Sequence, residues 1–230
     1  LFKKTLPSNC ISLNSRDGQQ IFQESYQSGH SACFFPLVSQ FRTQDEPAFC
    51  ALTSMVMILN ALEIDPGSIW KGPWRWYDER MLLGCPPLKV VIRIGMNYDE
   101  FLSATVCNKL SVVNVRVDDN SDIRKFRECV QMCTKSDKCF LVATYSRCAL
   151  NQNGGGHFSP IGGYHPEKDM ILLLDTARFK YPPHWISIES LFNAMKVIDD
   201  ITGNFSFCQL TGTSVTIVQT CVLNIHSNFR

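Results

Sequence analysis

Residues 44–62 read QDEPAFCALTSMVMILNAL, and this stretch decides how the rest of the chain is understood. Pro47 breaks an acidic turn, Cys50 follows at once, and Leu52, Met55, Val56, Leu59 and Leu62 then recur at helical spacing. The pattern predicts a helix beginning near Cys50 and stopped by Asp65-Pro66-Gly67. Its residues are apolar nearly all round, which marks a buried helix. A thiol at such a position feels the positive end of the helix and its free N–H groups, and both favour thiolate over thiol. A buried structural cysteine would look the same, so Cys50 needs a base elsewhere in the chain.

Outward from this helix the chain changes character. The stretch DGQQIFQESYQ reads as a helix capped by Asp17, NYDEFLSATVCNKL and NSDIRKFRECVQMC as further helices, and SVVNVRV as a strand. Between them WKGPWRWYDE and CPPL read as loop, with the tryptophans available as a substrate wall. After about residue 135, FLVATYS, HFSPIGGYH, MILLLD and TSVTIVQTCVL read as strands and SIESLFNAMK as one helix. The expected fold is α+β, with a helical lobe over about 1–135 and a strand-rich lobe over about 136–230 meeting at a cleft, in one catalytic domain.

The strand-rich part offers the base. His157 and Asp175 flank a polar turn around HPEK, so the two strands read as an antiparallel hairpin in which positions summing to about 332–334 pair. That places His157 beside Asp175, a carboxylate able to fix its tautomer, with Cys50 facing both from the other lobe. Gly154–Gly156 leave room for a ligand to approach His157. Gln44, six residues before Cys50, can supply a side-chain amide to an oxyanion, with the Cys50 N–H as second donor. Each of these residues has an ordinary reading alone; the order Cys, His, Asp with a helix-start cysteine favours nucleophilic acyl transfer.

Bulk properties bound the alternatives. With 230 residues, 45% of them apolar, there is enough chain for a substantial core, and 22 basic against 21 acidic side chains give no electrostatic footprint for nucleic acid. No apolar run approaches the ~18 residues that span a bilayer, and no retained signal peptide is evident. Eleven cysteines, an odd count without a regular framework, suit reduced thiols in the cytosol rather than a disulfide scaffold. Cys129, Cys133, Cys139 and Cys148 could suit a soft metal, but they contain no CxxC pair, which does not favour structural zinc.

At this level of detail FRTQDEPAFCAL, LNALEIDPG, WKGPWRWYDE, GHFSPIGGYH and DTARFKYPPHW, running in order from about Leu6 to Met195, resemble the phytochelatin synthase family, the glutathione γ-glutamylcysteinyltransferases. The resemblance implies a papain-like fold with Cys50 as nucleophile, His157 as base and acid, Asp175 as its orienter and Gln44 in the oxyanion hole. It further implies Arg147, Arg178, Lys180 and Phe49 as substrate-binding residues. Family members commonly carry AYCGL where this chain has AFCAL, so Phe49 and Ala51 are departures. The cysteine-rich C-terminal extension of many eukaryotic members is not present in this sequence.

The activity implied is transfer of γ-glutamylcysteine from glutathione to a second glutathione or a phytochelatin oligomer. No organic cofactor is implied; a heavy-metal ion such as cadmium, or zinc or copper, would enter as the glutathione thiolate. The resemblance leaves open a glutathione-conjugate hydrolase with water as acceptor, a homodimer, and a mitochondrial isoform beside the cytosolic protein. A non-catalytic thiol-rich metal buffer using Cys129, Cys133 and Cys139 is the reading from a different class.

Overall fold

The computed structural model describes residues 3–199, 203–204 and 206–212. The strand expected at TSVTIVQTCVL lies outside the described residues. In chain order the elements are β1 (Cys10–Ser12), α1 (Arg16–Gln27), α2 (Phe34–Ser39), α3 (Cys50–Ala61), α4 (Leu88–Ile94), α5 (Tyr98–Cys107), β2 (Leu110–Arg116) and α6 (Ile123–Thr134). They continue with β3 (Cys139–Ser146), β4 (Gly156–His165), β5 (Met170–Leu173), β6 (His184–Ser187), α7 (Ile188–Lys196), β7 (Ile198–Asp199), β8 (Gly203–Asn204) and β9 (Ser206–Gly212).

Among the described residues seven strands form one antiparallel sheet in the order β1-β6-β5-β4-β3-β9-β2, and β7 pairs with β8 in a second. Successive strand residues point to opposite faces, and the two hydrophobic clusters follow that alternation. Phe140, Val142, Leu172, Trp185, Cys208 and Leu210 join α3 and α5 in one cluster. Leu141, Ala143, Tyr145, Leu173, Ile186 and Phe207 join α6 and α7 in the other. The class is thus α+β, mixed helix and antiparallel sheet, and every residue of α3 from Ala51 to Ala61 is buried.

Several local expectations are corrected. Ser15, not Asp17, caps α1, because its hydroxyl accepts from the Gly18 N–H at 3.0 Å while Asp17 sits inside the first turn. The run after Cys85 resumes as α4, a short helix that the two prolines before it obscured. The hairpin register is also shifted. Ile161 pairs with Leu173, but a bulge follows, and Gly163, Tyr164 and His165 pair with Leu172, Ile171 and Met170. The bulge inserts a residue at Gly162, where a Cβ would stand 2.8 Å from Leu174 Cγ. Positions 157 and 175 therefore do not oppose each other on the ladder; β5 ends at Leu173, and the chain turns so that the Asp175 side chain reaches back.

Candidate active site

Cys50 is the first residue of α3, whose N-terminus has no side-chain cap. The first-turn N–H groups of a helix lack intrahelical partners, so the positive end of α3 acts on the thiol without competition from a capping oxygen. The His157 ring and the backbone N–H of Phe158, both on β4, act on the Cys50 sulfur. Burial would raise its pKa, yet His157, the Phe158 N–H and Arg147 together bring it below the ordinary thiol value.

His157 Nε2 lies 2.9 Å from Asp175 Oδ1, which leaves Nδ1 for the sulfur. Burial and Arg147 oppose its protonation, but Asp175 and the Cys50 thiolate outweigh them and raise its pKa. Asp175 has no exposed surface. Its carboxylate accepts from His157, from the Ala177 N–H at 2.9 Å and from Arg147 Nη2 at 2.9 and 2.7 Å. Burial alone would push this acid up; its two cationic neighbours hold it well below the usual carboxylate range. The set is a thiol shifted toward thiolate, a histidine shifted toward its protonated form and a carboxylate that orients the ring and does not easily take the proton, which is the equipment of nucleophilic acyl transfer.

A cavity of about 480 Å³ opens onto these groups, lined among others by Cys50, Arg93, Arg147, Gly154, His157 and Lys180. Gly154 has φ +124°, and a Cβ there would come within 3.2 Å of both Arg147 Cδ and Lys180 Nζ. Gly154 is thus required by backbone conformation and by crowding as well as by access. Lys180 donates to the Asn153 carbonyl at 3.2 Å, and burial followed by Arg147 holds its pKa below the ordinary lysine value.

Residues 1–205 match the family model described as phytochelatin synthase. The chain belongs to the phytochelatin synthase family. It is 48% identical over 203 residues to glutathione gamma-glutamylcysteinyltransferase 2 of Arabidopsis thaliana, covering 88% of this chain and 45% of that protein. It is 39% identical over 202 residues to the glutathione gamma-glutamylcysteinyltransferase of Schizosaccharomyces pombe, covering 88% and 49% respectively. The chain therefore spans about half the length of these curated relatives. Among solved structures it is similar to a double glycine motif protease from an AMS/PCAT transporter, with a TM-score of 0.41 and 16% identity over 75% of this chain and 91% of the other.

Within this chain the remaining anticipated residues separate into two groups. Arg147 and Lys180 line the cavity, but the Arg147 guanidinium is spent on Asp175 and Gln152 rather than facing open space. Arg178 does not line it: the tight turn from Ala177 to Tyr181 carries its guanidinium outward over the Phe41 ring, 5.0 Å from the centroid. Phe49 is buried in the α3 cluster and is not among the cavity residues, as an apolar ring without a polar handle would be expected to do. Trp70, Trp74 and Trp76 are exposed away from the cavity, so the tryptophan loop is not its wall.

Gln44 is buried, and both hydrogens of its amide go to carbonyls of its own loop, those of Glu46 at 2.9 Å and Pro47 at 2.8 Å. Its Oε1 accepts from Thr176 Oγ1 at 3.0 Å, and its backbone N–H bonds to the Thr176 carbonyl at 3.1 Å. In this arrangement Gln44 ties the nucleophile loop to the chain just after Asp175, and neither amide hydrogen is left for an oxyanion.

The cysteines of interest do not form one site. Cys133 and Cys139 lie 3.3 Å apart in the second core cluster, while Cys148 donates to the Gly154 carbonyl. Among the described residues the one trio with metal-ligand spacing is Asp45, Asp78 and Glu79, and Arg42 pairs with all three. Sequence reasoning missed Gln152, His184 and Arg93. The first two sit in ordinary-looking segments and meet each other across 32 positions of chain, and Arg93 lies on the helix that the prolines concealed.

Proposed function

We propose that this chain catalyses γ-glutamylcysteinyl transfer from glutathione, building phytochelatins. The Cys50 thiolate attacks the carbonyl joining cysteine to glycine in glutathione, His157 protonates the departing glycine amine, and a γ-glutamylcysteinyl thioester remains on the sulfur. The α-amino group of a second glutathione, or of a growing oligomer, then attacks the thioester, gives its proton to His157 and releases Cys50. The observation that carries this reading is the Cys50, His157 and Asp175 constellation opening into a cavity with Lys180 and Arg93 at hand for substrate carboxylates.

The oxyanion of the tetrahedral intermediate would be held by the Cys50 N–H, with Gln44 as second donor once it releases one of its loop carbonyls. Water competes for the thioester, so transfer needs an acceptor held close by. A soft ion such as cadmium would arrive as a glutathione thiolate complex and leave with the poly-thiol product, so it is substrate rather than a resident of the protein. No disulfide joins the described cysteines, which suits a reducing compartment such as the cytosol. Among the described residues no helix is long and apolar enough to cross a membrane.

The test is to incubate the protein with glutathione, with and without cadmium, and to weigh the products by mass spectrometry. Oligomers of γ-Glu-Cys ending in glycine support the proposal. Free γ-Glu-Cys as the sole product means hydrolysis, and no release of glycine sinks both. Cys50→Ser should abolish product while Cys129→Ser spares it.

A further inference from the structure

Asp175 is held from behind by a buried chain of hydrogen bonds that the transfer reaction does not itself use. Arg147 reaches both carboxylate oxygens with one nitrogen, Nη2, a contact about which the guanidinium plane could still turn. Its Nη1 is anchored separately, donating to Gln152 Oε1 at 2.6 Å. Gln152 is placed for this by the turn after β3, where its own N–H closes onto the Arg147 carbonyl at 2.9 Å and Asn151 adopts φ +57°. The far side of the Gln152 amide, Nε2, stands 3.0 Å from His184 Nε2, and His184 Nδ1 stands 2.8 Å from the Pro182 carbonyl.

The direction of every link follows from donor and acceptor chemistry. A carbonyl only accepts, so His184 Nδ1 carries the hydrogen that meets Pro182. A guanidinium only donates, so the Gln152 oxygen faces Arg147 and its NH₂ faces His184. The His184 Nε2 must then offer a lone pair, which makes this ring neutral. A second proton on His184 would oppose the amide NH₂, and flipping the amide to meet it would set NH₂ against the guanidinium. Burial first, and the Arg147 and His157 charges after it, lower the proton affinity of His184 against the pull of Asp175. Asp175, Arg147 and His157 are the charged or titratable groups that act on the ring, with the Cys10 thiol 3.8 Å from Gln152 Nε2 and the Tyr145 hydroxyl within reach of Arg147, Asp175 and Cys10. Neither Gln152 nor His184 lines the cavity.

We propose that Gln152 and His184 are positioning residues: the neutral His184 ring fixes the orientation of the Gln152 amide, which holds Arg147 against Asp175 and so keeps His157 turned toward Cys50. The proposal rests on the reading of Cys50, His157 and Asp175 as the catalytic set, and it is independent of which substrate they serve. It makes the active-site pair depend on an uncharged histidine that touches no reactant.

The test measures alkylation of Cys50 by iodoacetamide across pH, followed on its own peptide by mass spectrometry, without glutathione. Q152L, similar in size but unable to bond, is expected to slow alkylation at pH 6 about tenfold by raising the thiol pKa. Q152E should recover most of that loss, because a carboxylate still accepts from Arg147. In Q152E the carboxylate also faces His184 Nε2, so ¹⁵N NMR should show that ring as imidazolium at pH 6, where the native ring is the neutral Nδ1–H tautomer. Alkylation in Q152L equal to native, or Q152E as slow as Q152L, or a native His184 already protonated at pH 6, would each overturn the inference. The NMR result decides if Q152L does not fold. A native Cys50 with an ordinary thiol profile instead overturns the catalytic reading on which this rests.

Discussion

Arg147 and Asp175 form an ion pair in which one guanidinium nitrogen spans both carboxylate oxygens at 2.9 and 2.7 Å, with both side chains all but closed to solvent. The same carboxylate orients His157, so its removal should have two separable effects.

Asp175→Asn is expected to lower kcat for glycine release by about 10²–10⁴-fold, since the amide cannot hold the imidazolium or fix its tautomer. It also strands a buried guanidinium, which should cost about 3–5 kcal/mol of stability in urea unfolding. A variant that loses activity without losing stability would show that the ion pair with Arg147 is not a net stabiliser.

The pH dependence follows from opposite shifts in the pair. Cys50 is brought below the ordinary thiol value, so thiolate is present at pH values where a free thiol would be protonated. His157 is raised, so imidazolium persists above the ordinary histidine value near ~6.5. Acid therefore costs activity by protonating the thiolate, and alkali by taking the imidazolium proton. A plot of kcat/KM for glycine release against pH should be a bell whose alkaline limb lies above the ordinary histidine value. In Asp175→Asn that limb should move down, because Asp175 supplies the charge and hydrogen bond that raise His157.

At Gly154, replacement by alanine combines an unfavourable φ of +124° with contacts at 3.2 Å to Arg147 and Lys180. We expect Gly154→Ala to cost about 1–3 kcal/mol in thermal or urea unfolding and to raise KM for glutathione more than Gly155→Ala, whose Cβ would meet nothing within 4 Å. Equal effects at the two positions would show that crowding against the two basic side chains is irrelevant.

Gln44→Ala separates two roles. Loss of the bonds to Glu46, Pro47 and Thr176 should loosen the nucleophile loop by about 1–3 kcal/mol, seen in unfolding. If the amide also turns to the oxyanion during turnover, kcat should fall by about 10²-fold or more beyond any change in KM. A stability loss with kcat intact would confine Gln44 to tying the loop.

Much of this site was legible because its chemistry is local. A cysteine after a proline-broken turn, at the head of an apolar run, states its own position, and Cys50 is where that pattern put it. His157 and Asp175 were legible as partners although the ladder register was not. The bulge at Gly162 moved the pairing, and the turn after Leu173 restored the meeting of side chains. Roles that depend on where a side chain finally points were not legible: Arg178 turns outward onto Phe41, Phe49 joins the core, and Arg147 points inward to a carboxylate. Gln152 and His184 could not be found at all from sequence, since their meaning is a hydrogen bond between residues 32 positions apart.

The outer strands of the sheet come from the first half of the chain, β1 beside β6 and β2 beside β9. During synthesis, then, neither edge can be paired until its late partner emerges, and β2 waits for residues 206–212. The Cys50 helix can form early, but the surface that holds His157 against it is incomplete until the central strands arrive. Reactivity at Cys50 should accordingly be absent from nascent chains and switch on late, as a property of the completed sheet rather than of the helix that carries the thiol.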